Sequence, residues 1–133
     1  MNIPPEAQQL IALAREMRHL AYAPYSGYAV GAAVLTDNGR FFGGCNVENA
    51  SYGLSVCAER TAVFRAVAEG ARAIVAAAVV TPDGGTPCGA CRQVLAEFAA
   101  NPSECPVWIA TPDHLVGVYT LAELLPHAFR LPR

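Results

Sequence analysis

The chain has 133 residues, 53% of them hydrophobic and 15% charged, and its 11 acidic and 9 basic side chains give a formal charge of -2. This length and composition predict a single domain, residues 1–133, with enough apolar material for a sizeable core. The sequence contains no run of basic residues, which argues against a nucleic-acid partner and against an anionic membrane surface.

The N-terminus has no basic segment followed by an apolar one, and the longest apolar run, near residues 73–80, is too short to span a bilayer. We therefore expect a soluble, cytoplasmic protein with no membrane partner. Five cysteines in a chain without an export signal are expected to be reduced, so that each binds a metal or is simply buried.

Apolar spacing near the N-terminus predicts an amphipathic helix over residues 5–23, which ends at a proline. A run rich in Val and Ala predicts a strand over 28–36, and the turn sequence Asp-Asn-Gly at 37–39 predicts a hairpin that returns along 40–45. Residues 46–56 have no clean period and contain several turn formers, so we expect an ordered loop, a common place for functional side chains.

The second half of the chain alternates helices and strands. A helix is predicted over residues 57–69, and the continuous apolar stretch at 73–80 predicts a strand buried on both faces. A third helix over 88–99 and a short strand over 106–110 come next. Only four residues separate that strand from the last one, 115–119, so these two strands should run antiparallel.

Thr120 and Glu123 have the spacing of a capping box and predict a short final helix that Pro126 terminates. The strands and helices together predict a mixed five-stranded sheet covered by helices. The expected fold class is therefore α/β, a three-layer α/β/α sandwich.

Three cysteines stand at the starts of two predicted helices. Cys57 opens one helix, and Cys88 and Cys91 lie in the first turn of the next. A catalytic zinc site typically takes three protein ligands and leaves the fourth position to water. Because the positive end of a helix dipole favours a thiolate, we predict that these three sulfurs hold one Zn²⁺ per subunit.

Glu59 and Arg60, which follow Cys57 closely in sequence, both fit such a site. Arg60 lies on the same helix face as Cys57 and could donate hydrogen bonds to the sulfurs, which would withdraw charge from an anionic zinc–thiolate centre. Glu59 points in another direction, toward the open position, where a carboxylate can accept a proton from the activated water and pass it to the substrate. We predict Glu59 as the catalytic residue.

The motif Cys-x-x-Cys alone is ambiguous among redox, structural zinc and catalytic zinc sites. A structural site would need a fourth ligand, and Cys45 and Cys105 are the candidates, but each is predicted at a strand edge among apolar residues, where burial is expected. His19 and His114 have no paired ligand at useful spacing, so we expect both on the surface.

Zinc-dependent deaminases have the signature His-x-Glu followed by Pro-Cys-x-x-Cys, with a variant in which all ligands are cysteines. Residues 57–59 and 87–91 fit that variant, and the similarity covers almost the whole chain. The chain resembles the small, homotetrameric cytidine deaminases that act on free nucleosides. The matching segments are residues 23–26, 30–33, 44–50, 57–62, 87–93 and 124–126.

The resemblance implies hydrolytic deamination of cytidine and 2′-deoxycytidine to uridine and 2′-deoxyuridine, with release of ammonia, as in pyrimidine salvage. It also implies a homotetramer whose sites are completed by neighbouring subunits. Glu59 would contact the ring N3 and the amino group, and the backbone N–H of Ala58 would meet the pyrimidine carbonyl.

Asn46 and Glu48 are expected to bind the sugar. In an extended segment, residues i and i+2 point the same way, so an amide and a carboxylate would converge on one ligand, and a ribose hydroxyl can satisfy both. The alternative is a loop whose polar side chains bond their own backbone. The resemblance assigns both residues to the 3′-hydroxyl.

The resemblance also places two aromatic residues around the base. Tyr28 stands where the family usually has Phe, and its hydroxyl would need a partner; alone it would be interpreted as a packed strand residue. Phe129 would reach a neighbouring subunit's site; alone it would be interpreted as a terminal core anchor. His127 occupies a position where the family often has Gly.

Three other functions share part of this pattern. A deaminase of a related aminopyrimidine, such as a blasticidin-type nucleoside antibiotic, would share the zinc motif, but residues 46–49 favour a plain nucleoside. A base-flipping deaminase of polynucleotides would be expected to have a basic groove and often a His ligand. A non-catalytic, zinc-stabilised binding module would not need Glu59.

Overall fold

The computed structural model describes residues 2–133. These residues form one sheet with helices packed on it, as the apolar periodicity of the sequence predicts. The strands are β1 (Gly31–Thr36), β2 (Phe41–Cys45), β3 (Ile74–Val80), β4 (Pro106–Ala110) and β5 (Leu115–Thr120). The helices are α1 (Pro5–Arg18), α2 (Ala58–Ala68), α3 (Gly89–Phe98) and α4 (Leu121–Leu124). Two short 3₁₀ turns, Tyr52–Leu54 and Pro102–Glu104, complete the regular structure of the described residues.

The five strands form one mixed sheet in the order β2-β1-β3-β4-β5. Among the strands of residues 2–133, β3 and β4 are the one parallel pair, and the other neighbouring pairs are antiparallel. Helix α1 covers one face of the sheet, and α2, α3 and α4 contribute to the core on the other face. The three-layer α/β/α sandwich predicted from the sequence is therefore confirmed.

Strand β3 runs through the centre of the sheet and divides its side chains between two cores. Alternate residues of a strand point to opposite faces, so a strand covered on both sides is apolar throughout. The face toward α2 and α3 receives Ala77 and Val79, and the face toward α1 receives Ala76, Ala78 and Val80.

A glycine lets α2 lie directly on β2. A Cβ at Gly44 would lie 2.3 Å from the backbone nitrogen of Ala62 and 2.7 Å from the carbonyl oxygen of Ala58. No side chain can occupy that space, so the helix backbone approaches the strand closely. This contact fixes the start of α2, where Cys57 precedes the first helical residue.

Two element boundaries differ from the sequence-based expectation. Helix α1 ends at Arg18 and not near residue 23, because Tyr22 leaves the helix to form a bridge with Val47. Strand β1 begins at Gly31 and not at residue 28. In the preceding segment the Asn46 amide donates to the Tyr28 carbonyl (2.8 Å) and accepts from the Val30 N–H (2.9 Å). These side-chain hydrogen bonds take the place of the backbone hydrogen bonds that a strand would make there.

The other predicted elements are present with shifts of one or two residues at their ends. The hairpin turn is confirmed, with Gly39 at φ +83°. The capping box is also confirmed, because the Thr120 hydroxyl accepts from the Glu123 N–H (3.1 Å) and the Glu123 carboxylate accepts from the Thr120 N–H (2.8 Å).

Within residues 2–133, none of the helices combines the length and the apolar character that crossing a membrane requires.

Candidate active site

Two helix N-termini meet at the candidate site. Cys57 is the N-cap residue of α2 and Cys88 is the N-cap residue of α3, both in extended backbone conformation. Cys91 is the third residue of α3 and is fully buried. The first N–H groups of a helix have no partner within it, and the dipole places partial positive charge there. Both helix ends therefore stabilise anionic sulfur.

The sulfur spacing fits a tetrahedral zinc ion. The Sγ atoms of Cys57 and Cys88 lie 3.8 Å apart, those of Cys88 and Cys91 lie 3.5 Å apart, and all three lie within 4.8 Å of one another. Zn–S bonds of about 2.3 Å in tetrahedral geometry place two sulfurs about 3.8 Å apart. All five cysteines are free thiols. The three sulfurs thus form a soft donor set of the right size for zinc.

The Arg60 guanidinium contacts the sulfur cluster. Its Nη2 lies 3.4 Å from the Cys57 sulfur, and its buried Nε has no partner among the described residues. Hydrogen bonds from Cys91 and Arg60 lower the pKa of Cys57 to about 5. The hydrogen bond between Cys57 and Cys91 has the opposite effect on Cys91 and raises the pKa of that thiol. The cluster therefore carries a thiolate at neutral pH, as metal binding requires.

Glu59 is the second residue of α2, and only 5% of it is exposed. Burial raises the pKa of its carboxyl to about 7, and the charge on Cys57 adds to that rise. Glu59 lines a cavity of 190 Å³ together with Cys57 and Cys88. A buried carboxyl between metal-binding sulfurs and an open cavity has the position that proton transfer to a ligand requires.

A second cavity, of 420 Å³, adjoins the first. Asn46 and Cys57 line both cavities, so the two are neighbours, and we call them together the cleft. We call the small cavity the base pocket, after the position that the resemblance implies for the pyrimidine; its walls include Tyr28, Ala58, Glu59, Val79, Thr81 and Thr86. The large cavity is the outer pocket, lined by Tyr25, Ser26, Asn46, Glu48 and Tyr52 among others.

The Tyr28 hydroxyl donates a hydrogen bond to the Asp83 carboxylate at 2.5 Å. Asp83 lies in the loop between β3 and α3, and the Tyr28 hydroxyl lowers the pKa of its carboxyl. Burial, and then the bond to Asp83, raises the pKa of Tyr28. The hydrogen bond joins two walls of the base pocket, since Thr81 at the start of that loop also lines it.

Asn46 and Glu48 both line the outer pocket, but their polar atoms already bond the segment 25–30. The Glu48 carboxylate accepts from the Tyr25 N–H (2.9 Å) and the Ser26 N–H (3.2 Å), and also from the Ser26 hydroxyl. The Ser26 hydroxyl lowers the pKa of Glu48. Each carbonyl or carboxylate oxygen has two lone pairs, so both side chains retain acceptor capacity for a ligand.

The structure brings nine of the ten sequence-predicted site residues to this cleft or its sulfur cluster. The exception is Phe129, which is 67% exposed and lies beside Gln93 and Glu97, away from the base pocket. His127 adopts φ +56°, a left-handed conformation that a glycine adopts without strain. His19 and His114 are exposed and Cys105 is buried, as expected, while Cys45 is half-buried.

Sequence reasoning missed several residues that line the cleft. Thr81 and Thr86 wall the base pocket, and Tyr25 and Tyr52 stand 6.4 Å apart, edge to face, at the outer pocket. The one signal for these threonines is their position in the sequence. Thr81 follows a predicted strand, and Thr86 precedes the Pro-Cys motif. Asp83 carries no local signal, because its partner Tyr28 is 55 residues away.

The fold and the site together define a class of protein. A three-sulfur zinc centre at two converging helix ends, with a buried carboxyl facing a pocket, is typical of a zinc-dependent hydrolase of small molecules.

Comparison with known proteins identifies the family. Residues 4–104 match the cytidine and deoxycytidylate deaminase zinc-binding region. Cytidine deaminase of Halalkalibacterium halodurans is 48% identical over 93% of this chain and 94% of its own length, and that of Sporosarcina psychrophila is 45% identical over 93% and 91%.

Solved structures agree with this result. Cytidine deaminase from Burkholderia pseudomallei superposes with a TM-score of 0.85 at 49% identity, over 92% of this chain and 98% of that one. The enzyme from Mycobacterium tuberculosis gives a TM-score of 0.82 at 43% identity, over 96% and 100%. The chain belongs to the cytidine and deoxycytidylate deaminase zinc-binding family, and its cofactor is zinc.

Proposed function

We propose that this chain hydrolyses cytidine and 2′-deoxycytidine to uridine and 2′-deoxyuridine, releasing ammonia, in pyrimidine salvage. The observation that carries the proposal is the buried Glu59 carboxyl, which faces the base pocket beside the sulfurs of Cys57 and Cys88. The relatives that cover nearly the whole chain bear the name cytidine deaminase.

The proposed reaction moves one oxygen onto C4 of the pyrimidine and one nitrogen away from it. Zinc, when bound by Cys57, Cys88 and Cys91, supplies an activated water as the nucleophile. Glu59 accepts a proton from that water and delivers it to ring N3 as the C4–O bond forms. Glu59 then transfers the second proton to the amino group, the C4–N bond breaks, and ammonia leaves. One carboxyl suffices because both steps occur at one carbon.

Ala58 and Tyr28 would hold the base. Ala58 is the first residue of α2, so its N–H has no partner within the helix and is free for the pyrimidine carbonyl. The Tyr28 ring forms a wall of the base pocket, and an aromatic face stacks on a pyrimidine through its π-system. Together they would orient C4 toward Glu59.

Asn46 and Glu48 would bind the sugar 3′-hydroxyl in the outer pocket. Asn46 lines both cavities, so a nucleoside whose base fills the base pocket has its sugar beside this residue. The bonds that both side chains make to segment 25–30 hold them rigidly, and a rigid binding group loses little entropy when the ligand arrives.

We also propose that the active form is a homotetramer in which a neighbour's Phe129 closes the cleft. Tyr25, Tyr52 and Phe129 are 53%, 78% and 67% exposed, and aromatic residues are enriched where subunits meet. The cytoplasm is the proposed location, because a three-thiolate site requires reduced cysteines and all five are free.

Separate incubations of the purified protein with cytidine, deoxycytidine, cytosine and single-stranded DNA test this function, with released ammonia and bound zinc measured in each. We expect ammonia from the two nucleosides and zinc in the active protein. Activity on the DNA alone, or on none of the four, would contradict the proposal.

A further inference from the structure

The guanidinium of Arg92 donates to three separate parts of the chain. Nε lies 2.6 Å from the Pro87 carbonyl oxygen, Nη1 lies 2.7 Å from the Leu124 carbonyl oxygen, and Nη2 lies 2.8 Å from the Thr86 hydroxyl. These distances are at the short end for N–H···O bonds, as is usual when the donor is charged. Arg92 is half-buried.

Two of these acceptors lie immediately before a zinc-ligating position. Thr86 and Pro87 precede Cys88, and Arg92 lies one helical turn after it, where its own N–H donates to the Cys88 carbonyl (3.0 Å). The side chain of Arg92 thus reaches back past the turn that contains Cys88. Thr86 also walls the base pocket, so one guanidinium bonds both the segment before Cys88 and a wall of that pocket.

Among residues 2–133, the other side-chain hydrogen bonds of this loop lie at its far end. There the Thr81 hydroxyl accepts from the N–H groups of Gly84 (2.7 Å) and Gly85 (2.9 Å), next to the Asp83 contact with Tyr28. Arg92 is therefore the side chain that anchors the end of the loop beside the sulfurs.

The third acceptor connects this region to the C-terminus. Leu124 is the last residue of α4, and the final carbonyls of a helix have no partner within it. The neighbouring residue Gln93 donates to the carbonyl of Phe129 (3.0 Å). The same turn of α3 therefore holds both the loop before Cys88 and the C-terminal segment.

Helix stability does not explain an arginine at this position. Arg92 is the fourth residue of α3, and a cation near the positive end of a helix dipole is unfavourable. The three acceptors of the guanidinium offset that effect. The three hydrogen bonds of its guanidinium account for the arginine at position 92.

We propose that Arg92 is a positioning residue that sets Cys88 for zinc and Thr86 for the base at the same time. The part concerning the base rests on the proposed function, whereas the part concerning zinc does not. Lysine would keep the charge but could not reach three acceptors in different directions. Arg92→Lys should therefore fail to substitute for the arginine.

The experiment compares Arg92→Gln and Arg92→Lys with Arg72→Gln, a matched control whose guanidinium is exposed and donates only to the carbonyls of Val67 and Ala71. Each protein is loaded with Co²⁺, its visible spectrum is recorded, and metal release to a chelator is timed. The kcat and KM for cytidine are measured on the zinc forms.

We expect both Arg92 variants to change the Co²⁺ spectrum and to release metal about 10 to 100 times faster than wild type, as when other outer partners of a metal site are removed. Their kcat/KM should fall while Arg72→Gln stays unchanged. Wild-type spectra and release rates in a folded Arg92→Gln would overturn the proposal, as would full recovery in Arg92→Lys. If Arg92→Gln does not fold, Arg92→Lys decides. An inactive wild type would overturn the function alone, since the metal measurements do not depend on turnover.

Discussion

At the scale of single residues, Tyr28 separates the contribution of a ring from that of a hydroxyl. Its ring walls the base pocket, and its hydroxyl bonds Asp83 on the surface of the β3–α3 loop. Removing the hydroxyl leaves an exposed carboxylate that water can solvate again at little cost. Removing the ring takes away the stacking surface.

We predict that Tyr28→Phe changes the KM for cytidine by less than about threefold, because a solvated hydrogen bond contributes little. Tyr28→Ala should raise KM roughly tenfold, since an aromatic contact contributes about 0.5–1.5 kcal/mol beyond area burial. Steady-state kinetics on both variants checks this. If Tyr28→Phe lost as much as Tyr28→Ala, the hydroxyl and not the ring would be the binding element.

The residues of the site differ in how far the sequence predicts them. Cys57, Cys88, Cys91 and Glu59 belong to short motifs whose helical position fixes their direction, and the structure brings them together. Asp83 has no such motif, because a surface acid in a loop has no local pattern that names its partner. Such partners are decided by tertiary contacts between distant segments.

At the scale of elements, the approach of α2 to β2 sets the catalytic end of α2. Gly44 permits this approach, because any Cβ there would overlap the helix backbone near Ala62 and Ala58. Backbone atoms cannot rotate away as a flexible side chain can, so a larger residue must push the helix off the sheet. The shift would carry Cys57 and Glu59 with it.

We predict that Gly44→Ala destabilises the protein by about 1–3 kcal/mol, the usual range for overpacking, and lowers its zinc content. Gly117→Ala is the matched control, since nothing lies within 4 Å of a Cβ at that strand position. Thermal unfolding and metal analysis of both variants give the comparison. Equal behaviour of the two would show that α2 does not need this close contact.

Element types could be predicted from the sequence more fully than element ends. Periodicity and turn residues identify the helices and strands because these signals are local. The ends of α1 and β1 are decided by the Tyr22–Val47 bridge and by the Asn46 amide, which join residues that are not neighbours in sequence, 16 residues apart in the Asn46–Val30 bond. The short turn Tyr52–Leu54 was likewise not predicted, since a single 3₁₀ turn has no period to detect.

At the scale of the whole molecule, the exposed rings of Tyr25 and Tyr52 border the outer pocket, whereas the exposed ring of Phe129 lies elsewhere on the chain. Phe129 does not line its own chain's base pocket, so any role in binding requires another subunit. If the proposed tetramer is correct, a variant with a damaged Phe129 still has an intact catalytic carboxyl, and a Glu59 variant still supplies an intact Phe129.

We predict that mixed tetramers recover activity. Phe129→Ala alone should raise KM, and Glu59→Gln alone should be inactive. After subunit exchange, the Phe129→Ala sites receive a phenylalanine from Glu59→Gln neighbours, so the activity of the mixture should exceed the sum of the parts. Sedimentation establishes the oligomeric state in parallel. A mixture that shows only the sum would contradict a contribution from the neighbouring subunit.

The proposed mechanism depends on a carboxyl that moves protons beside a zinc ion. Measuring zinc content and ammonia release from cytidine for Glu59→Gln is its most direct test. We predict that the variant folds and keeps its zinc, because Glu59 is not one of the three sulfur ligands. Its turnover should fall by at least about 10²–10⁴-fold, the usual contribution of general acid–base catalysis. Deamination at the wild-type rate by the zinc-loaded variant would contradict the mechanism.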